Sequence, residues 1–465
     1  MNQIAYKLLL LFYLTLFVKL NRKRFVIALS FGILSLILIG NSCSLSYGQD
    51  VQGTKFGRVV PKIYPHDLKV EEVFLGLHFP TRMAFVGPDD ILVIEKNNGT
   101  VSRILNGTIS SRPILDVNVA TKMDRGMVGI AVLNGLNRTY VFLYFTEADS
   151  KDGGKALGNR LYRYELLNDK LIRPKLLLDL PATPGPIHNG GAIVIGPDGN
   201  VYLSVGDLHG SCDVNVTRSC HTVKTKTQNY HNGDDVDGRA GILRVTPDGD
   251  TVGGGILGNS DPLNKYYAYG IRNSFGLDFD PVTGNLWDTE NGPYYGDEIN
   301  LVKPGFNSGW DKVAGIWKPN GTFNMGDITL KPNNLEDFGG KGKYSAPEFI
   351  WSHTIGPTAI TFVDTDKLGK QYQDDLLVGD VHNGRLWHFD LNENRTGLSL
   401  KGELADKIAN YYNETAGIVL GDDFGEITDI KVGPDGYVYV VVYSKQYGEI
   451  LRIVPADTTP KSPEK

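Results

Sequence analysis

The sequence predicts an all-β fold, a six-bladed β-propeller preceded by an N-terminal hydrophobic signal or anchor helix. Three observations predict it. A Gly-Pro-Asp or Asp-Pro turn recurs ahead of an alternating apolar strand. A second unit recurs in which a Gly turn opens a short strand. Long helical periodicity is absent from the body of the chain.

The first unit occurs at Gly87-Pro88-Asp89-Asp90 before Ile91–Ile94, and at Gly196-Pro197-Asp198-Gly199-Asn200 before Val201–Leu203. It returns at Asp280-Pro281-Val282-Thr283-Gly284-Asn285 before Leu286-Trp287, and at Gly433-Pro434-Asp435-Gly436 before Tyr437–Val440. Asp-Gly and Thr-Gly between alternating runs are hairpin signals, because these turns need residues that tolerate φ > 0. The second unit reads Gly99–Ile104, Gly241–Val245, Gly384–Phe389 and Gly448–Ile453. Short strands repeated over about 400 residues, at about one strong unit per 60 to 70, indicate radial repetition. A pair of β-sandwiches is the competing reading of the same strands.

The 465 residues include 55 Gly, 23 Pro and 23 Tyr, a composition rich in turns and strand formers. The formal net charge is −6, and no basic run appears outside the N-terminus, which argues against non-specific nucleic-acid binding. Residues 1–48 read as a signal peptide or membrane anchor. Leu8–Val18 is apolar, Arg22-Lys23-Arg24 is basic, Phe25–Gly40 is uncharged, and Ser42, Ser44 and Ser46 are small. The residues before Cys43 match a lipid-attachment pattern poorly. Residues 49–70 read as a linker, 71–456 as the propeller and 457–465 as a disordered tail. The expected location is the extracellular space, the cell surface or a periplasm-like space. In that setting Cys212 and Cys220, eight apart in a polar loop, are expected to form a disulfide; two free thiols is the other reading. Asn-x-Ser/Thr sequons begin at Asn98, Asn106, Asn137, Asn215, Asn320, Asn394 and Asn413.

Three segments carry residues suited to chemistry. His188 lies in Pro184-Gly185-Pro186-Ile187-His188-Asn189-Gly190-Gly191, where glycines let a ligand approach the backbone and an imidazole suits a general base. A loop histidine that only hydrogen-bonds locally is the plainer reading. Arg272-Asn273 places a guanidinium fork beside an amide, a pair suited to planar, oxygen-rich ligands, or a guanidinium paired with a carboxylate on another blade. Glu290-Asn291-Gly292-Pro293 followed by Asp297-Glu298 brings three carboxylates and a Gly-Pro turn together. Hard oxygen donors suit Ca²⁺ better than Zn²⁺, and a solvated acidic loop is the alternative. There is no His-Glu-x-x-His, no Gly-x-Ser-x-Gly elbow, no phosphate loop and no dinucleotide fingerprint.

In this order, the segments resemble the soluble PQQ-dependent sugar dehydrogenases of the glucose/sorbosone dehydrogenase type, over roughly Gly76 to Val454. Phe79-Pro80-Thr81 with Ile91–Arg103 looks like that family's first blade, and Asp124–Ala131 like its second. Trp351–Pro357, with Thr358 next to it, resembles a quinone-facing loop. The resemblance implies a six-bladed propeller with PQQ over the channel and an aldose sugar oxidised at its anomeric hydroxyl, with an electron acceptor as partner. It implies His188 as catalytic base, Arg272, Asn273, His382, Asp124 and Thr358 around the cofactor, and Ca²⁺ at Gly292 and Pro293, with Glu290, Asp297 or Glu298 supporting that ion or a second one. A homodimer is a further expectation of the same kind.

The sequence departs from the family at three places. His382 stands where a Lys is usual, Glu426-Ile427-Thr428 where Arg-Ile-Arg is usual, and Asp124 where a Gln is usual. Arg82 and Arg385 are candidates to restore positive charge. Two other functional classes stay open: a non-enzymatic propeller binding a sugar, glycan or protein partner, and a calcium-dependent lactone or ester hydrolase.

Overall fold

The computed structural model describes residues 60–209, 224–320, 324–444 and 447–456. The N-terminal segment 1–48, Cys43, Cys212, Cys220, the sequon at Asn215 and the tail 457–465 lie outside the described residues. Among the described residues no helix is long and apolar enough to cross a membrane.

The recurring turn-strand units become antiparallel meanders. Pro80–Gly87, Asp90–Glu95 and Thr100–Leu105 form one ladder, with Thr108–Ile109 and Leu115–Asp116 paired to the last of them. Met127–Asn134, Thr139–Ala148, Ala156–Leu167 and Lys170–Leu180 form the next. Ile193–Ile195, Val201–Val205, Gly241–Val245 and Tyr266–Tyr269 follow, extended by two short parallel strands, Phe306–Asn307 and Lys343–Tyr344. Then come Ser274–Phe279, Leu286–Glu290, Asp297–Val302 and Phe349–Trp351, extended by Ile408–Ala409. Pro357–Phe362, Leu376–Asp380, Leu386–Phe389 and Val419–Asp422 make another sheet, with Lys62–Ile63 on its edge. Finally, Glu426–Val432, Val438–Tyr443 and Gly448–Pro455 pair with Leu68–Leu77. A separate two-stranded ribbon joins Trp317–Asn320 to Asn324–Ile328.

The first strand of each meander packs on the first strand of the next. The series returns from Glu426–Val432 to Pro80–Gly87, so the sheets close into a ring. This is an all-β propeller. The seal is a strand from near the start of the described chain, Leu68–Leu77, hydrogen-bonded to the last strand, Gly448–Pro455. The sheets therefore take up Lys62–Ile63 and Leu68–Val70, which the sequence reading placed in a linker; their backbone groups pair with Gly421–Asp422 and Ile453–Pro455, strands far along the chain that no local pattern could indicate.

Middle strands are covered on both faces by neighbouring sheets. Asp90–Glu95, Leu286–Glu290 and Leu376–Asp380 are buried at every position. Apolar side chains fill the gaps between sheets. In one such cluster Phe349, Trp351, Trp387 and Phe389 are joined by edge-to-face ring contacts, and Trp287 meets Phe362 in the same way.

This architecture positions the site. Thr81 and Arg82, Asp124, His188, Arg272 and Asn273, Thr358, Glu426 and Thr428 all stand at or just before the start of a first strand. The ring brings these starts together at one mouth of the channel.

Candidate active site

A cavity of about 430 Å³ at that mouth is lined by Arg82, Lys96, Asp124, Thr358, His382 and Glu426, among others. A second, of about 640 Å³, is lined by His209, Lys224, Tyr230, Pro293, Trp310 and Lys312, among others. His188 and Arg272 join the two. The His188 backbone N–H donates to Asp124 of the first cavity at 2.7 Å, and its ring stacks on His209 of the second at 5.7 Å. Arg272 Nη1 donates to the carbonyl of Asn291 in the first at 2.7 Å, and its guanidinium lies 5.4 Å from the Trp310 ring of the second.

His188 is held in the left-handed region, at φ 60°, a conformation that is costly for a residue with a side chain and persists where its surroundings enforce it. Those surroundings are visible. Asn189 is fully buried, donates to the carbonyl of Pro186 at 2.8 Å and accepts from Asn159 at 3.0 Å. A Cβ on Gly206 would meet the carbonyls of both His188 and Arg272 inside contact distance, so glycine there lets the two loops close on each other.

His188 Nδ1 lies 2.7 Å from Asp207 Oδ1, and Trp310 Nε1 donates to Asp207 Oδ2 at 2.7 Å. With its carboxylate partner on Nδ1, the ring carries its proton there and leaves Nε2 as the basic nitrogen. Burial opposes the charge on Asp207. The cationic form of His188, its hydrogen bond, Arg272 and the Trp310 N–H outweigh burial and hold the carboxyl below its usual range. Arg272 is pulled down by burial and pushed back up by Asp207, Asp297, Glu290 and Asp124.

The remaining sequence candidates divide. Asn273 is buried and accepts from the Gly190 N–H at 3.2 Å, which ties the His188 loop to the Arg272 turn. Thr358 donates to the carbonyl of Ile427 at 2.5 Å while lining the first cavity. His382 lines the same cavity. Asp297 has both oxygens filled: Oδ1 accepts from the Gly292 N–H, and Oδ2 from Thr354 Oγ1 and the N–H groups of Ile355 and Gly356. It clamps the Gly292-Pro293 turn to the 354–356 loop. Glu298 is likewise filled, by Gly315 N, Asn300 Nδ2 and Ser308 Oγ. Glu290 Oε1 accepts from the Arg272 N–H at 2.6 Å, whereas Oε2 is buried without a hydrogen-bond partner among the described residues. Pro293 borders the second cavity. Trp351 belongs to the aromatic core rather than the first cavity. Arg82 is committed to Asp429 at 3.3 Å and to two carbonyls, and Arg385 lies over the Tyr412 ring in another cavity.

Asp288, Glu290 and Glu298 form a buried carboxylate group on facing strands, in the register Asp288↔Asn300 and Glu290↔Glu298. Burial raises all three, Asp288 to about 7 and Glu298 to about 8, and repulsion from the neighbouring carboxylates adds to it at Glu290 and Glu298. The folded protein therefore binds more protons than the unfolded chain from about pH 4 up to this range, and stability is lost as pH rises through it. With a chelator present, melting temperature is expected to fall between pH 5 and pH 8.5, by the equivalent of a few kcal/mol. Asp288→Asn is expected to shrink that fall, and a melting temperature that stays flat or rises with pH contradicts the argument.

Sequence reasoning did not single out Asp207, Trp310, His209 or Lys96. Asp207 was within reach. In the hairpin Ile193 pairs with Leu203, so five residues back from one and five forward from the other sets His188 level with Leu208, beside Asp207. Trp310 follows the short strand Phe306–Asn307, 103 residues along the chain from Asp207, and carries no local signal.

The fold and site define an all-β propeller with a carboxylate-oriented imidazole and a guanidinium at the channel mouth. The family model described as Glucose / Sorbosone dehydrogenase matches residues 77–452, and the chain belongs to that family of oxidoreductases. The quinoprotein glucose dehydrogenase B of Acinetobacter calcoaceticus is 32% identical over 240 residues, 49% of each chain. The aldose sugar dehydrogenase YliI of Escherichia coli K12 is 23% identical over 399 residues, 84% of this chain and 94% of that one. The PQQ-bound aldose sugar dehydrogenase of Streptomyces coelicolor shares the fold with a TM-score of 0.57 at 21% identity, over 84% of this chain and 99% of that one.

Proposed function

We propose that this chain is an exported sugar dehydrogenase that oxidises the anomeric hydroxyl of an aldose, with pyrroloquinoline quinone (PQQ) as hydride acceptor. In this reading each sheet of four or more strands is one blade of a six-bladed ring, and the N-terminal segment is the export signal or anchor. The observation that carries the reading is the chain Trp310–Asp207–His188 set against the Arg272 guanidinium. The names of the Acinetobacter and Streptomyces proteins, a quinoprotein and a PQQ-bound enzyme, support it.

The residues present fit an oxygen-rich planar anion beside a hard cation. Arg272 spends one N–H on Asn291 and makes no direct ion pair among the described residues, which leaves donors for a ligand. Lys96 adds positive charge to the first cavity. Glu290 Oε2, buried and without a donor among the described residues, and the Gly292-Pro293 turn supply the oxygen-only donors that Ca²⁺ takes. When bound, the quinone accepts hydride and the cation polarises it. His188 Nε2 takes the proton of the anomeric hydroxyl as hydride leaves the carbon. Asp207 stabilises the imidazolium so formed and Trp310 fixes Asp207. Arg272 stabilises negative charge growing on acceptor oxygens.

Titration calorimetry with PQQ tests the reading. Binding is expected in Ca²⁺, weakened at least about tenfold on chelation, because Asp124 and Glu426 leave the pocket with little net positive charge of its own. Absence of binding in both conditions would favour a second reading that those same two carboxylates suggest, a propeller that binds a sugar or partner without oxidising it.

A further inference from the structure

The second cavity is where the charge lies. Asp311 is engaged by the Lys224 ammonium and by the Tyr230 hydroxyl at 3.0 Å, so one lysine and one carboxylate offset each other. Lys312 Nζ rests 3.4 Å from the centroid of the Tyr230 ring and makes no ion pair among the described residues. Lys318, on the same wall, is exposed and also without an ion pair among them. Lys312 is pulled below its usual range by burial first, opposed by Asp311 and reinforced by Lys224 and Lys318. Two ammonium groups thus share one cavity without a matching anion among the described residues, an arrangement that costs free energy until a negative group enters.

The cavity has a second property. Trp310, Tyr230 and Tyr295 line it, and aromatic faces suit the apolar C–H surface of a sugar ring. Two of its lining residues also touch the base pair: Trp310 donates to Asp207, and His209 stacks on His188. A molecule lying in this cavity therefore reaches both Lys312 and Lys318 and the two neighbours of the His188–Asp207 pair, His209 and Trp310.

We infer that this chain takes an anionic aldose, a sugar bearing a carboxylate or phosphate away from its anomeric carbon, with Lys312 and Lys318 receiving that group and Tyr230 and Trp310 flanking the ring. Lys312 exchanges its contact with the Tyr230 face for a charge-assisted hydrogen bond, which is the stronger of the two. This rests on the proposed oxidation at His188, whose substrate class it names.

The test uses three ligands that lack the anomeric hydroxyl and are not oxidised: 1,5-anhydroglucitol, its 6-phosphate, and 1,5-anhydroglucuronate. Calorimetric titration is run on the protein loaded with PQQ and Ca²⁺ and again without them. At least one anionic ligand is expected to bind tenfold or more tightly than the neutral one, with a preference that shrinks as salt rises. The better of the two anions tells carboxylate from phosphate. Lys312→Met is expected to cut the preference about tenfold and Lys312→Arg to keep most of it. Equal or tighter binding of the neutral ligand, no binding of any of the three, or a preference that survives Lys312→Met undiminished would overturn the assignment. A preference for the anion in a protein that binds no PQQ would retain the ligand class while the proposed oxidation fails. Oxidation of neutral aldoses with no preference would do the reverse.

Discussion

His188→Ala should abolish sugar-dependent dye reduction, with kcat lowered by about 10³-fold, within the range that general-base catalysis contributes. The imidazole is the basic group between a residue of the first cavity, Asp124, and one of the second, His209, and its Nδ1 is already spent on Asp207. Without it, the anomeric proton has no acceptor as hydride departs. Alanine at φ 60° is strained as histidine is, so loss of the ring should cost little of the fold. His188→Asn is the control for that point. Asparagine tolerates the left-handed region better than most residues yet is no base. Both variants should keep the wild-type circular dichroism spectrum and bind PQQ within a few-fold of the wild-type affinity. Unchanged turnover in either would remove His188 from the mechanism.

How much of this was legible beforehand depends on range. Turn chemistry and alternation are local, so hairpins such as Asp90–Glu95 with Thr100–Leu105 could be read from the residues. The His188 loop could be read as a Pro- and Gly-rich turn carrying an imidazole, although local hydrogen bonding was the plainer reading of that histidine and its partner Asp207 was not picked out. The closing strand Leu68–Leu77 was not legible, since its partner lies about 380 residues away and nothing local marks the pairing. The roles of Asp297 and Glu298 were also hidden. A run of carboxylates beside a Gly-Pro turn has the same composition whether its oxygens face a cation or backbone N–H groups, and only the fold brings Ile355 and Gly356 onto Asp297. Arg82 shows the same limit, a cation in the right cavity whose partner Asp429 comes from another sheet.

Asp207→Asn should lower kcat by about 10² to 10³-fold while leaving PQQ affinity within a few-fold. The carboxylate is not among the lining residues of either cavity, so its effect passes through the groups it holds: His188, Trp310 and the His209 N–H. Two changes are combined. An amide can present its NH₂ to Nδ1, which favours the tautomer with the proton on Nε2 and removes the base from the place where it is needed. The amide also carries no charge to stabilise the imidazolium. The second change predicts a shift in the pH profile. Removing a carboxylate 2.7 Å from the ring makes the protonated imidazole less favourable, so the acidic limb of kcat/KM should move to lower pH. A purely structural role for Asp207 would lower activity through folding or cofactor loss and leave that limb in place. Asp207→Glu keeps the charge but displaces it by one methylene. It should retain the position of the limb while losing part of kcat, because positioning and charge are then separated.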